Sequence, residues 1–197
     1  MPIQTRELNS DLIRSVELLA EVFDSMSIRY ALIGGLATML RGRPRFTQDV
    51  DILLDVPQLV LPGLLEKLAD RGFKIDLLTM IREYVHEQMT TCQYGVARID
   101  LLKPVLPLYA RTIANASRLQ WTAGVSLPVA MAEGLILTKM VSFRAQDQAD
   151  IEVLLIANRK EIDLAMIAEE WSVVSAGEEA RTAWLEQTIR RLVYDRG

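Results

Sequence analysis

Two side chains that build most metal and redox centres are nearly missing: the chain has one cysteine and one histidine. A lone Cys92 can form no internal disulfide and cannot supply a thiolate zinc cluster. A lone His86 excludes any metal site that needs two imidazoles. Long apolar runs are also lacking. The longest, such as the "LVLPGLL" stretch, are too short and too broken to cross a bilayer, so no membrane partner is expected. Positive charge is in deficit, with a net charge of −4, which argues against a strong non-specific nucleic-acid binder. Arg41, Arg43 and Arg45 still make a local basic cluster, which reads as the lining of a phosphate entrance or, for at least one of them, as a solvated loop. The opening "MPIQTRELNSDLIRS" carries no apolar leader core, and a reducing cytoplasm is the expected compartment.

What is present is ordinary for a globular protein. Half of the 197 residues are hydrophobic and 24% are charged. That length suits one compact domain, or a domain with an appended subdomain, able to bury a core without covalent staples. Leu12, Val16, Leu19, Val22 and Phe23 fall at helical spacing within 8–26, with Ser10 or Asp11 as the expected cap. "RYALI" (29–33) reads as a short buried strand stopped by Gly34-Gly35. A short helix follows and ends at Gly42 and Pro44. "DVDILLDV" (49–56) is a second strand, and Pro57 opens a helix to about Asp70. The segment 75–89 is ambiguous between helix and strand. "YGVARIDLLKP" is a strand with Val96, Ile99 and Leu101 as apolar members. Residues 106–119 are loop or helix, and 119–129 hold one or two strands. Beyond lie two helices joined near 144–147 and an amphipathic tail anchored by Trp171 and Trp184.

The expected class is α/β (α+β): a small mixed sheet with helices packed on it, followed by a helical C-terminal part. The expected division is a core over 1–127 and a helical subdomain over 128–197.

The chemistry concentrates in three acidic residues. Asp49 and Asp51 are two apart on one strand, so both project to one face, with Cα atoms roughly 6–7 Å apart. Two carboxylates sharing a face repel, and burying them without a cation is costly. A divalent ion resolves that conflict, and hard oxygen ligands suit Mg²⁺. Asp100 in "ARIDLL" repeats the pattern of a carboxylate embedded in an apolar strand. If the two strands are neighbours, three carboxylates can hold two ions about 3.5–4 Å apart, as in-line phosphoryl and nucleotidyl displacement requires. Gly34-Gly35 ends a strand and opens a helix, where backbone can approach an anion closely and amide dipoles favour phosphate.

The stretch "LIGGLATMLRGRPRFTQDVDILL" resembles the signature of the DNA polymerase β-like nucleotidyltransferase superfamily. In it a Gly-Gly turn precedes an Asp-x-Asp strand by about a dozen residues, and a third carboxylate sits on a later strand. The lead-in Arg45, Thr47, Asp49 is similar to that of AbiEii-type and related minimal bacterial nucleotidyltransferases. So, more weakly, is "LILTKMVSFRAQDQADIEVL". The resemblance implies an NTP donor and two Mg²⁺ ions held by Asp49, Asp51 and Asp100. It implies donor contacts from Gly34, Gly35, Arg45, Thr47 and Lys139. The acceptor stays open among a tRNA end, a protein hydroxyl and a small molecule such as an aminoglycoside. A cognate protein partner in a toxin–antitoxin pair is a further implication, and a non-catalytic nucleotide-binding or antitoxin-like member is the alternative. From the residues alone, Lys139 reads equally as a triphosphate contact or as a lysine with a buried stem, and Asp147 and Asp150 read as a surface ion-pair network.

Overall fold

The computed structural model describes residues 9–43 and 47–194. Helix α1 (Ser10–Ser25) is capped one residue earlier than expected, by Asn9, whose side chain accepts the Asp11 N–H at 2.8 Å. Its apolar stripe, Leu12, Val16, Leu19 and Phe23, is buried. The helix lies across the sheet. At one end the Asp11 carboxylate takes the Val96 N–H (3.0 Å), and the Ile13 carbonyl takes the indole N–H of Trp121 (3.3 Å).

The strands are β1 (Arg29–Ile33), β2 (Asp49–Asp55), β3 (Met89–Tyr94), β4 (Ala97–Leu102), β5 (Ser117–Thr122) and β6 (Val125–Val129). They form one mixed sheet in the order β3-β4-β2-β1-β6-β5. β2 is central and touches both a parallel and an antiparallel neighbour. It runs antiparallel to β1, with Ile33 opposite Asp51, and parallel to β4, with Asp51 opposite Asp100. β3 pairs antiparallel with β4 and forms one edge of the sheet. The ambiguous segment 75–89 resolves as helix α4 (Leu77–His86), capped by Asp76, and a sharp turn into β3. Val96 is not a strand member. It is exposed in the turn before β4.

Helix α2 (Gly34–Arg41) begins at the first glycine itself, and α3 (Leu61–Asp70) begins four residues after Pro57. α5 (Pro107–Ala114) occupies the segment read as loop or helix. α6 (Ala132–Ser142) is apolar on nearly every side: Leu135, Ile136, Leu137 and Met140 are all buried. It packs against α2, α5, α7 (Ala145–Asn158) and α8 (Leu164–Val174). A helix without a polar face is a central helix. α9 (Glu179–Ile189) and a π-helical turn, Arg190–Tyr194, complete the described chain. Trp171 is buried, with its indole N–H on Thr182 Oγ1 at 2.9 Å. Trp184 is only partly buried, edge-on to Phe143.

The boundary expected after residue 127 falls inside β6, and one hydrophobic cluster runs from α1 through α6 to α9. None of the helices described is long and apolar enough to cross a membrane.

Arg41 belongs to this framework and not to the phosphate entrance for which its charge suggests it. Its Nε donates to the Ala130 carbonyl (3.0 Å), and Nη2 donates to the Val129 carbonyl (3.1 Å) and Ser117 Oγ. Its own carbonyl accepts from Asn158 Nδ2 (2.9 Å). One side chain thus ties the end of α2 to β6, and its carbonyl ties it to α7. Arg43 is exposed, and Arg45 lies outside the described residues. Replacing Arg41 by Met strips partners from two carbonyls at the end of β6. Arg41→Met is expected to lower unfolding stability by about 2–4 kcal/mol in chemical denaturation, with Arg43→Met near neutral as the control.

Candidate functional site

The site follows from the two-residue period of β2. Val50, Ile52 and Leu54 turn into the core, while Asp49 and Asp51 face the other way. Parallel pairing sets Asp51 directly opposite Asp100, and Asp49 opposite Arg98. All four line one cleft of about 490 Å³, together with Gly34, Gly35, Thr47 and Lys139. The cleft therefore gathers every described residue that the sequence singled out for metal or donor contact.

Gly34 has φ +63°, a conformation that L side chains seldom adopt. A Cβ at Gly34 would sit 1.9 Å from Asp51 Oδ2 and 2.7 Å from Asp51 Cβ, so Asp51 would have to move. Asp51 also accepts a hydrogen bond from the Gly35 backbone N–H. The glycine pair therefore serves first as the seat of a carboxylate. The positive φ of Gly34 and the close approach of Asp51 are a more specific reason for glycine at 34 than close approach of a phosphate. Thr38 Oγ1 closes the first turn of α2 on the Gly34 carbonyl at 2.8 Å.

Burial, above all, and then the charge of Asp100 push the Asp51 carboxyl above its ordinary value. The Gly35 hydrogen bond pulls the other way, Asp49 adds to the upward push, and Lys139 offsets part of it. An acid held ionised against such forces attracts cations strongly. The donors are carboxylate oxygens only, which fits a hard divalent ion such as Mg²⁺ and fits Zn²⁺ poorly. Among the described residues, no three His, Cys, Asp or Glu side chains lie close enough together to hold an ion. Asp49 is exposed at the start of β2, and Asp100 Oδ1 is engaged by Arg98 and Thr91.

The opposite wall is the α6–α7 hairpin. Lys139 is buried, and its Nζ lies 2.6 Å from Asp150 Oδ2 and 3.6 Å from Asp147 Oδ1. Gln146 Nε2 also donates to Asp150 (3.1 Å). Asp147 takes the Ser142 hydroxyl (2.9 Å), the Arg144 N–H (3.1 Å) and Arg144 Nε (2.8 Å). These hydrogen bonds, led by the one from Arg144, hold the Asp147 carboxyl below its ordinary value against burial. They clasp a tight corner in which Phe143 takes φ 50°. Asp147 and Asp150 are thus not a surface network. Both are about 2% exposed and surround one ammonium. The sequence reading missed this because α6 is apolar all round, so no polar face marks where α7 turns inward.

Other expected residues take quieter places. Thr47 Oγ1 reaches its neighbour's backbone at Asp49 O only loosely, at 3.4 Å. Cys92 is buried in β3, and burial pushes its thiol up to about 12, an inert state. Asp55 pairs with Arg29, and Asp76 caps α4. His86 is exposed at the end of α4. Thr91, Arg98, Tyr109, Thr138, Arg144 and Gln146 lie at or beside the cleft, and the sequence did not single them out as site residues. Arg98 lay within the quoted "ARIDLL", two residues before Asp100, and Thr138, Arg144 and Gln146 lay within the quoted "LILTKMVSFRAQDQADIEVL", but none was marked out there for a role.

No protein-family model and no curated protein sequence matches the chain. Solved structures do. An antigenic nucleotidyltransferase-like protein from Paracoccidioides brasiliensis superposes with a TM-score of 0.55 at 19% identity, covering 91% of this chain and 94% of that one. The antibiotic-resistance factor ANT(2″)-Ia in solution gives 0.51 at 15% identity, over 91% and 97% of the two chains. ANT(2″)-Ia in complex with adenylyl-2″-tobramycin gives 0.51 at 13% identity, over 86% and 98%. At these identities the likeness is one of fold. The chain has a nucleotidyltransferase-like core, a mixed sheet bearing the Gly-Gly turn and the Asp-x-Asp strand, with further helices at its C-terminal end.

Proposed function

We propose that this protein transfers a nucleoside monophosphate from an NTP to an acceptor hydroxyl and releases pyrophosphate. The observation that carries the reading is the register pairing of Asp51 with Asp100 beside the Gly34-Gly35 turn, inside one open cleft. Asp49, Asp51 and Asp100 would hold two Mg²⁺ ions. The chemistry that such ions supply is activation of the acceptor oxygen and neutralisation of charge on the phosphates.

The protein's own part is mostly positioning and charge. Asp100 takes the proton of the acceptor hydroxyl as the new O–Pα bond forms and the bond from Pα to the β-phosphate bridge breaks. Gly34, by lacking a side chain, keeps the floor of the cleft open and lets Asp51 sit close beneath it. Thr47, in the lead-in to β2, lines the cleft where the donor would lie, and the sequence resemblance gives Arg45 the same role. Lys139 offers its charge from the α6 wall toward the leaving pyrophosphate. Its pairing with Asp147 and Asp150 fixes where that charge sits.

The full-length likeness to ANT(2″)-Ia supports a small hydroxylated molecule as acceptor. The negative net charge weighs against a long RNA footprint. A cognate partner of the AbiEii kind is an inference from the Arg45–Thr47–Asp49 lead-in and, more weakly, from "LILTKMVSFRAQDQADIEVL". The deciding experiment supplies α-labelled NTPs and Mg²⁺ with three acceptor pools: aminoglycosides and related small molecules, total tRNA, and proteins of a cell lysate. Label is expected in the small-molecule pool. Label in tRNA or protein moves the acceptor. Label in none overturns transfer.

Asp51→Asn should lower transfer by about 10²–10³-fold or more. In the metal-free protein the same change should stabilise. The folded pKa of Asp51 lies above its unfolded value, so ionised Asp51 subtracts stability as pH rises from the ordinary carboxylate range through the raised value. The Asn variant is expected to melt higher than the parent at pH 7 in chelator. That advantage should shrink toward pH 4, where the parent carboxyl protonates. Each kcal/mol relieved moves the midpoint by about 2–4 °C. Equal melting at both pH values would show that burial does not burden Asp51.

Gly34→Ala is expected to cost more than about 1–2 kcal/mol from backbone conformation alone, and further from the clash with Asp51. Calorimetry should show both lower stability and loss of Mg²⁺·NTP binding. Retained binding would mean that Asp51 does not need its present seat.

A further inference from the structure

Two donors converge on one oxygen of Asp100. Thr91 stands opposite Asp100 in the β3–β4 register, and its hydroxyl donates to Oδ1 at 2.7 Å. Arg98 precedes Asp100 by two residues on β4, hence on the same face, and its Nε donates to the same oxygen at 2.9 Å. The two donors also touch each other, with Arg98 Nη2 3.5 Å from Thr91 Oγ1. The Asp100 side chain is 16% exposed and that of Arg98 is 51% exposed.

An isolated surface ion pair would carry little meaning. Here the geometry is more restrictive. A carboxylate on a strand has two side-chain torsions, and its terminal torsion is broad and roughly two-fold. A hydroxyl from the next strand and a guanidinium from its own strand remove that freedom. Both choose Oδ1, so the second oxygen, Oδ2, is the one not taken by them.

We propose that Thr91 and Arg98 are positioning residues that occupy Oδ1 of Asp100 and reserve Oδ2 for the divalent ion and the acceptor's proton. The inference rests on the reading of Asp100 as metal ligand and base. It adds a division of labour between the carboxylate's two oxygens and assigns a role to the edge strand. Outer contacts of this kind orient a ligating carboxylate, and their loss weakens metal affinity by about 10–100-fold. Thr91 does so without altering charge. Arg98 also brings a positive charge near Asp49, Asp51 and Asp100, which acts against a cation. Its geometry is therefore tested with the charge kept.

The test is Mn²⁺ affinity of the full chain without nucleotide, by calorimetry. It compares wild type, Thr91→Val, Thr91→Ser and Arg98→Lys, with Asp51→Asn as the control for the site. Thr91→Val and Arg98→Lys should each bind about tenfold more weakly or worse. Thr91→Ser, which restores the hydroxyl, should lie within about twofold of wild type. Suppose Thr91→Val and Arg98→Lys bind as wild type does, or more tightly, while Asp51→Asn loses the ion. The positioning role is then overturned and the site stands. Suppose instead that wild type takes up no Mn²⁺, or Asp51→Asn binds it equally well. The site reading then fails, and this inference with it. Thermal melting of each variant guards against misfolding, and should Thr91→Val not fold, Arg98→Lys decides alone.

Discussion

The constraint on which the site depends is the placement of Asp51. It sits on the central strand, half-buried, opposite Asp100 and two residues from Asp49. Hydrophobic packing alone would place a valine there. Burial and the neighbouring carboxylates both oppose its ionisation, so the fold stores an unfavourable interaction at the heart of its sheet. Such a cost is tolerated where a ligand of opposite charge relieves it. The glycine turn, the lysine wall and the clamp on Asp100 can all be understood as consequences. Each either makes room for the carboxylates, offsets their charge or sets their direction.

The two walls of the cleft manage charge by different means. On the sheet side the carboxylates are left in excess, with one backbone amide on Asp51 and two donors on Asp100. On the helix side Lys139 is buried with two aspartates around it. Burying one ammonium with two carboxylates is acceptable only because Ser142, Arg144 and Gln146 satisfy the remaining oxygens. The cluster therefore works as a hinge pin for the α6–α7 corner as much as a source of positive charge. Removal of Lys139 would leave Asp150 without its buried cation, and the two carboxylates together fix the position of the ammonium. A fixed cation suits stabilisation of charge that develops in one place during a reaction.

Much of this was legible in the sequence, for physical reasons. A strand's period of two reveals which residues share a face, so Asp49 and Asp51 could be paired without coordinates. The match of "ARIDLL" to "DVDILL" let Asp100 join them. The glycine turn was legible as a turn, but its purpose was not. That Gly34 makes room for Asp51 depends on β1 lying antiparallel to β2 with Ile33 opposite Asp51, a contact that crosses from one element to another. Strand β3 was hidden because "MTTCQY" has little apolar alternation for an edge strand to display. Arg41 misled because charge suggests solvent or phosphate, whereas its guanidinium satisfies carbonyls at the end of β6. For Arg41 the deciding partners lie 88 and 89 residues further along the chain.

The edge position of β3 carries a last consequence. An edge strand's outer backbone is unpaired in the sheet, and edge strands are the more readily deformed. Yet β3 supplies Thr91, the one hydroxyl that reaches Asp100. β3 is also joined to the chain on its other side: Lys74 bridges to Gln93, and Glu83 of α4 accepts from Thr90. Tyr84 of α4 donates in turn to the Leu54 carbonyl at the far end of β2. A closed circuit thus runs from β2 through α4 and β3 to β4 and back to β2. Thr91, one of the two donors on Asp100 Oδ1, is carried by this circuit. The circuit explains how a segment with so weak a strand pattern holds its register: ties to α4 and β4 add to the packing of Cys92 and Tyr94 against the core.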